Sequence, residues 1–563
     1  MESVTHDPIA DLRTAVEDAA FAIGGATARP MLERPKKAGF GDYSTNAAML
    51  LAPVTSRSPR DVAAELGDAV RAKLGGHVDG VEIAGPGFLN LVMADSWFGA
   101  ALEHVLERDT DWGGGGAGTP EKIDVEFVSA NPTGPMHVGH ARNAAYGDSV
   151  ARILAFYGHE VTREFYVNDF GSQVVRLAES LQARARGEEV AEDGYQGDYV
   201  VELARTIEGA DTLGLPELGR RGVERSMEQI RASLAAFAVK DFDVWFSERS
   251  LHEVVSEPAG SSRVEQALAQ LAESGETYRS DGALWLRTST HGDDKDRVLE
   301  RSSGEHTYFT SDLGYLLDKR SRGYDRLLML LGADHHGYMA RIKAAFELLG
   351  GDRDRIELLI MQFVHLVDGG ARSSMSKRSG EFVTLDDLVA EIGVDAARWY
   401  LLARSHDTTI DLDVAVAKQE SADNPVYYVQ YAHARIASML AKAGEPRVAA
   451  ALAAPAAGAS GLEPAERALV KKLLAFPEEL ADAADRRAPH RIATYALELA
   501  QEFTSFYRDC RVVGAEPEQL ESFRLALCVA TMHTIGAALG LLGVSAPERM
   551  DRESDEGPGS AVT

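Results

Sequence analysis

The chain has 563 residues, enough for roughly three or four domains and a sizeable core. Its two cysteines, Cys510 and Cys528, have no metal-type spacing near them, which excludes a disulfide or zinc framework and fits a reducing cytoplasm. A formal net charge of -29, with Lys scarce beside Arg, Asp and Glu, argues on charge alone against a nucleic-acid partner. The competing reading is a surface kept soluble at high salt, where long-range charge is screened.

No charged-then-apolar leader and no run of about 18 apolar residues is visible, so a soluble, unsecreted protein without membrane contact is expected. Residues 1–112 read as a small α/β module, with helices over 9–23 and 59–74 and a strand-like stretch VEIAGPGFLNLVM. Phe88 and Asn90 lie on that stretch and read by alternation as a core and a surface residue. The glycine run 113–116, with Gly118 and Pro120, reads as a flexible linker and a boundary.

The next part, 121–423, opens with a β-rich run over 123–129, a Pro/Gly turn and a helix pattern carrying Val138, Ala141, Ala145, Val150, Ile153 and Leu154. Gly158 stops the helix, and a second β-rich run follows over 161–167. This is one βαβ unit, expected to be right-handed and part of a parallel sheet of the α/β class. Ligands in such sheets bind beyond the carboxyl ends of the strands. His137 and His140 fall there, on one face of the helix's first turn and beside its positive dipole end, which suits phosphate. The bland alternative for the pair is capping or surface chemistry.

Helical, charged sequence over 173–239, then FDVWFSERSL and another helix pattern, read as an insertion at about 175–285. The sheet is expected to resume with ALWLRT and TYFTSDLGYLLDK, then DRLLMLLG, the helix MARIKAAFELLG and a last apolar strand IELLIMQFVHLV. That strand runs into DGGARSSMSKRSGEF, and Thr384 is placed to cap the helix TLDDLVAEIG. Lys377, among Ser and Gly residues, can be an ordinary surface lysine or an ammonium swung onto β- and γ-phosphates. Residues 424–550 show Ala/Leu-rich helices with apolar spacing of three and four, a helical bundle, and 551–563 read as a disordered acidic tail.

Together the words PMHVGH and SMSK resemble the two nucleotide-binding signatures of class I aminoacyl-tRNA synthetases. EFVSANPTGPMHVGHARNAAYGD, REFYVNDFGSQ, TYFTSDLGY, GADHHGY and YVQYAHARI resemble the arginyl-tRNA synthetases in particular, over nearly the whole chain. The resemblance implies a tRNA-contacting module at 1–112, a Rossmann-like catalytic sheet of the histidine-motif type with an insertion, and an anticodon-binding bundle. It also implies a cytoplasmic monomer that activates L-arginine with Mg–ATP and charges tRNA(Arg), with no protein-bound metal. With the surface charge, it points to a halophilic source.

By resemblance His137 and His140 bind and stabilise the phosphates, and Gly139 allows close approach of ATP. Lys377 holds the pyrophosphate end, with Met375 and Ser376 shaping its loop. Glu248, Tyr308 and Asp312 are the candidates for the guanidinium, which paired acceptors read best. Asn131 takes the α-amino group, and Asp334 stands where some members carry Gln. Phe88, Asn90, Tyr427, Tyr431 and Arg435 are the tRNA candidates, although helical spacing leaves the tyrosines equally open to a core role.

Ser374 replaces the first lysine of the family's more widespread loop, and Gly134 and Pro135 stand where some members carry a compensating Lys, so Lys377 should be indispensable. Consecutive Asp334, His335 and His336 rarely converge on one ion. Rival readings are a small-acid nucleotidyltransferase of the same motif type, which needs neither end module, an RNA-binding paralogue without activity, and a ligase for another amino acid.

Overall fold

The computed structural model describes residues 7–25, 30–35, 39–254, 260–368, 371–372 and 383–550; the side chains of 334–336, 368 and 371–372 fall outside that description. In the first module α1 (Pro8–Gly24), α2 (Ala47–Thr55), α3 (Pro59–Leu74) and α4 (Asp95–Arg108) accompany an antiparallel sheet. Its strands are β1 (Leu32–Glu33), β2 (Tyr43–Thr45), β3 (Val78–Ala84) and β4 (Phe88–Met93), in the order β1-β2-β4-β3. Asp7 and Ser58 cap α1 and α3 ahead of a proline in the first turn, so both helices begin where a cap and a pre-set φ coincide.

The glycine run is not a flexible linker. A Cβ on Gly113 would stand 2.8 Å from the Phe476 ring, and one on Gly116 would stand 2.6 Å from Tyr157. The Gly115 N–H donates to Phe156 O at 2.9 Å. These glycines let the chain lie flat against two neighbouring helices, which composition alone cannot reveal.

The second part holds β5 (Lys122–Glu126), α5 (Val138–Tyr157), β6 (Glu160–Val167), α6 (Ser172–Arg186), α7 (Asp198–Arg205), α8 (Leu215–Ala236) and β7 (Val244–Ser247). It continues with α9 (Arg263–Glu273), β8 (Thr277–Ser280), β9 (Ala283–Leu286), β10 (Arg297–Glu300), α10 (Tyr308–Ser321), β11 (Arg326–Gly332), α11 (Met339–Leu348) and β12 (Ile356–Met361). Five strands form a parallel sheet in the order β12-β11-β5-β6-β7. The chain builds outward from β5 to β7, then returns to β11 on the other side, so the topological switch point lies between β5 and β11.

Four expectations need correction. TYFTSDLGYLLDK, expected where the sheet resumes, contains no strand and forms α10. FDVWFSERSL, placed within the insertion, supplies β7, the edge strand of the main sheet. ALWLRT supplies β9, which pairs only with β8 and β10 in a separate antiparallel sheet. The apolar run after 356 is two strands, because Gln362 and Phe363 turn the chain out of the sheet. There the buried Arg142 donates to Gln362 O at 2.6 Å. The second of the two, β13 (Val364–Asp368), pairs instead with β14 (Ala371–Arg372) and a later strand.

Next come α12 (Leu385–Ile392), α13 (Val394–Leu402), β15 (Ile410–Asp413) and α14 (Val414–Ala417). The bundle follows: α15 (Pro425–Ala443), α16 (Glu445–Ala453), α17 (Pro464–Leu473), α18 (Phe476–Asp485), α19 (Pro489–Asp509) and α20 (Glu518–Leu542). By length and composition α20 could cross a membrane, which the sequence reading did not foresee. Here 72% of its apolar stretch is buried in the bundle. One hydrophobic core runs from the first module through the α5 side of the sheet into the bundle; a smaller one lies under α10 and α11 on the opposite side.

Candidate active site

A cavity of about 1210 Å³ opens beyond the carboxyl ends of β5, β11 and β12. That volume suffices for a nucleotide and a small amino acid together. Its floor is the corner after β5, where Val128 and Ser129 take φ of 65° and 42°. A β-branched residue at positive φ is strained and persists only if its surroundings hold it. Asn143 of α5 does so: its Oδ1 accepts from the Val128 N–H at 2.7 Å, and its Nδ2 donates to Leu330 O at 3.1 Å. A strand corner, the first turns of α5 and the end of β11 are thus locked together.

His137 and His140 line one wall, with rings stacked at 3.8 Å. They are also caps, so the two readings of the pair are not exclusive. The Gly139 N–H donates to His137 Nδ1 at 3.0 Å, and the His137 N–H donates to His140 Nδ1 at 3.3 Å. A backbone N–H can only donate, so both Nδ1 atoms are acceptors and each neutral ring carries its proton on Nε2. Burial holds His137 below the usual histidine range. Burial, with His137 as neighbour, takes His140 down to about 4. A Cβ on residue 139 would stand 2.8 Å from the His137 ring, so glycine there serves the histidine's own fit.

The loop bearing Met375, Ser376 and Lys377 lies outside the described residues. Its C-terminal neighbours do not. The Val138 N–H donates to Val383 O at 3.2 Å and the Leu385 N–H donates to Met136 O at 2.8 Å, so the histidine turn and the exit of that loop are bonded to each other. Thr384 caps α12, as its spacing predicted, with Oγ1 accepting from the Asp387 N–H at 3.0 Å.

The opposite wall is acidic. Asp312, in the second turn of α10, and Glu126, at the end of β5, line the cavity with Asn131, Tyr166, Tyr315 and Tyr338. Asp312 accepts from the Tyr338 hydroxyl, and Asn131 Oδ1 accepts from Asn168 Nδ2 at 3.3 Å. Glu248 lies beneath the wall, 7% exposed and bonded to Tyr166. Burial, then the Asp312 charge, pushes Glu248 up to about 7. Burial likewise pushes Asp312 to about 7 against the help of Tyr338 and Arg341. Among the described residues neither carboxylate forms an ion pair. Together they are a place prepared for a cation.

Three family models match the chain: the arginyl tRNA synthetase N terminal domain over 9–93, the catalytic domain of tRNA synthetases class I (R) over 102–202 and 220–438, and the DALR anticodon binding domain over 429–550. The chain is 43% identical over 558 residues to an arginine–tRNA ligase of Shouchella clausii, covering 96% of this chain and 98% of that one. It is 41% identical over 566 residues to an arginine–tRNA ligase of Bacillus subtilis, with 96% and 98% covered. The solved arginyl-tRNA synthetase of Thermus thermophilus superposes with a TM-score of 0.74 at 26% identity, over 96% of this chain and 100% of that one.

The chain belongs to the class I arginyl-tRNA synthetases. Members of this family are ligases that use ATP as a substrate. Against the residues expected for such a synthetase, the structure brings His137, Gly139, His140, Asn131 and Asp312 to one cavity and Glu248 just below it. Tyr308 stands apart, 70% exposed, with its hydroxyl 3.0 Å from Ser172 Oγ. Asp334 falls in a short helical turn over Ala333–Tyr338 that begins at the cavity rim.

Glu126, Tyr166 and Tyr338 escaped the sequence reading. The one available signal was the acidic alternation of IDVEF on a strand too central to have a solvent face.

The tRNA candidates differ among themselves. Asn90 is 2% exposed and its Oδ1 accepts from Ser44 Oγ at 2.8 Å, so it is not the surface residue that alternation suggested; Phe88 is half-buried. On α15, Tyr427 and Tyr431 are half-buried with parallel rings 6.1 Å apart, and Arg435 lies 4.6 Å over the Tyr431 ring. His433 is buried, with Nδ1 2.9 Å from Pro547 O.

Proposed function

We propose that the cavity holds Mg–ATP and L-arginine side by side, joins them as arginyl-adenylate, and passes the arginyl group to the terminal adenosine of tRNA(Arg). One observation carries this reading: two imidazoles whose Nδ1 atoms accept backbone N–H bonds share a cavity with Asp312, which forms no ion pair among the described residues, while Glu248 lies against the Tyr166 that lines the same cavity. In the first step a carboxylate oxygen of arginine attacks the α-phosphorus. The bond to the β-phosphate breaks, and pyrophosphate leaves with the electron pair. His137 and His140 donate to phosphate oxygens as that charge grows, and need not change protonation state.

Lys377 takes the pyrophosphate end, with Met375 and Ser376 shaping its loop and Gly139 opening the backbone to ATP. Asp312 and Glu248 receive the guanidinium; Asn131, aided by Glu126, takes the α-amino group, and Asp334 sits at the rim. Residues 1–112 contact tRNA through Phe88, and 424–550 through Tyr427, Tyr431 and Arg435. The half-exposed stacked face on α15 supports the latter. The metal arrives with ATP, and the protein works as a cytoplasmic monomer without membrane contact, with α20 inside the bundle.

Aminoacylation of total tRNA with each amino acid tests the reading; charging with anything but arginine overturns it. In Lys377→Ala the activation rate should fall about 100-fold or more with arginine binding little changed, as for loss of a transition-state charge contact. Near-normal turnover would remove the role assigned to Lys377.

A further inference from the structure

The helix that begins with the two histidines ends its polar contacts far from ATP. Asp148 of α5 is fully buried, about 12 Å along the helix from His140 at 1.5 Å per residue. Its Oδ2 accepts from Arg398 Nη2 of α13 at 2.7 Å and from Arg152 Nε at 2.8 Å, and its Oδ1 accepts from the Lys240 N–H at 3.2 Å.

The same two arginines cap other helices. Arg398 Nε donates to Leu542 O at 2.8 Å, Arg152 Nη1 donates to Gly540 O at 3.2 Å, and Ser149 Oγ donates to Leu541 O at 2.8 Å. Three consecutive carbonyls at the end of α20 thus receive side-chain donors from α5 and α13, with Gly540 O also accepting the capping Gly543 N–H at 3.1 Å. Arg398 Nη1 and Arg152 Nη2 close the end of α8 in the same way, through Phe237 O and Ala238 O.

Gly543 completes the fit. It ends α20 at φ 67°, and a Cβ there would stand 2.3 Å from Arg398 Nη2. One buried carboxylate therefore joins the histidine helix to the last turn of the bundle through two guanidiniums, Arg398 buried and Arg152 partly exposed.

We propose that Asp148, Arg152 and Arg398 are positioning residues that hold the histidine-bearing end of α5 in register with α20, so that the bundle sets the geometry of the phosphate-binding wall. This rests on the functional reading given above. A helix is stiff over this length, and the Asn143 and Arg142 contacts tie its first turns to the cavity floor and to the chain after β12. A displacement at Asp148 therefore reaches the histidines as movement of a rod.

The test compares ATP–pyrophosphate exchange, aminoacylation and tRNA binding in the full chain for Arg398→Lys and Asp148→Asn. Because both positions are buried, Ser149→Ala and Arg152→Gln serve as milder probes. The expected result is a fall in kcat of about 10-fold to 100-fold, the size of effect that a misplacement near 1 Å produces. The KM for arginine and the Kd for tRNA should stay within about twofold, since neither site is touched.

Asp148→Asn combined with Arg398→Lys should cost less than the two single effects together. Folded variants with unchanged kcat would overturn the proposal. So would kcat, KM and Kd worsening in parallel with a falling Tm, which marks a merely structural pair. Wild-type protein that charges no arginine defeats the functional reading; wild-type protein that charges, with all variants equal to it, defeats the junction alone.

Discussion

Helix α10 carries two sets of buried charge, and they are compensated differently. Toward its C-terminal end Lys319 and Arg322 meet Asp124, Glu126 and Glu164 under the sheet. Lys319 Nζ lies 3.1 Å from Glu126 and 3.3 Å from Glu164, and Arg322 Nη2 lies 3.0 Å from Glu164. Burial alone would push Glu164 up, but the two cations outweigh it and hold the carboxyl at about 2; the surplus of acid falls on Asp124, pushed by burial to about 6. Nearer the N-terminal end of the same helix Asp312, with Glu248 beside it, is pushed to about 7; Arg341 acts on Asp312 only at a distance, and among the described residues neither carboxylate forms an ion pair. The first set closes the fold; the second is the one proposed above to receive a ligand. Burial depth does not distinguish them; the presence of a built-in counter-charge does.

The comparison breaks most visibly at Lys319. Lys319→Met leaves three buried carboxylates with Arg322 alone and should cost about 3–5 kcal/mol of stability, as for a buried pair stripped of one partner. Urea unfolding reads it, and an unchanged midpoint would show that the lower set is not compensated by Lys319. Next in size, Asp312→Asn should raise the arginine KM about 10-fold to 100-fold, the worth of one charge-assisted hydrogen bond. It should leave the unfolding midpoint unchanged or slightly higher, because an uncompensated acid has been removed. A loss of stability like that of Lys319→Met would erase the distinction.

The pH dependence sharpens it further. With Asp312 and Glu248 in the proposed role, the guanidinium needs both carboxylates ionised, so arginine affinity should be complete above about 7 and be lost as pH falls and they take up protons. The arginine KM should rise by up to about tenfold per pH unit for each proton coupled to binding. A KM flat between about pH 7.5 and about pH 6 would contradict it. The smallest effect expected is that of salt. With a net charge of -29 the surface should gain from screening, so activity and Tm persist or rise toward molar salt, while the buried layer is indifferent. Stability and activity confined to dilute buffer would remove the high-salt reading.

What could be read from the chain was whatever is local. The βαβ unit, the histidines at its turn and the Thr384 cap depend on spacings of a few residues, and each lies where those spacings put it. Glu126 could not be read, because only the placement of β5 between β11 and β6 makes its side of the strand an interior one. The break between β12 and β13 was hidden for a similar reason: Arg142, more than 200 positions earlier in the chain, draws off the carbonyls there. Tyr166 and Tyr338 acquire meaning only beside Glu248 and Asp312, a proximity that no window of sequence contains.

The packed glycine run has a consequence for how a long ligand is held. Trp112 Nε1 donates to Leu473 O at 3.0 Å and Lys471 pairs with Asp42 at 2.9 Å, so the first module is seated on the bundle rather than trailing from it. For a polynucleotide that touches both surfaces, the effective concentration of the second contact is set by a rigid span, not by the statistics of a tether. Changing the length of that glycine segment would therefore shift a fixed gauge, and affinity would respond as it does to a wrong dimension, abruptly, rather than with the shallow dependence of a random coil.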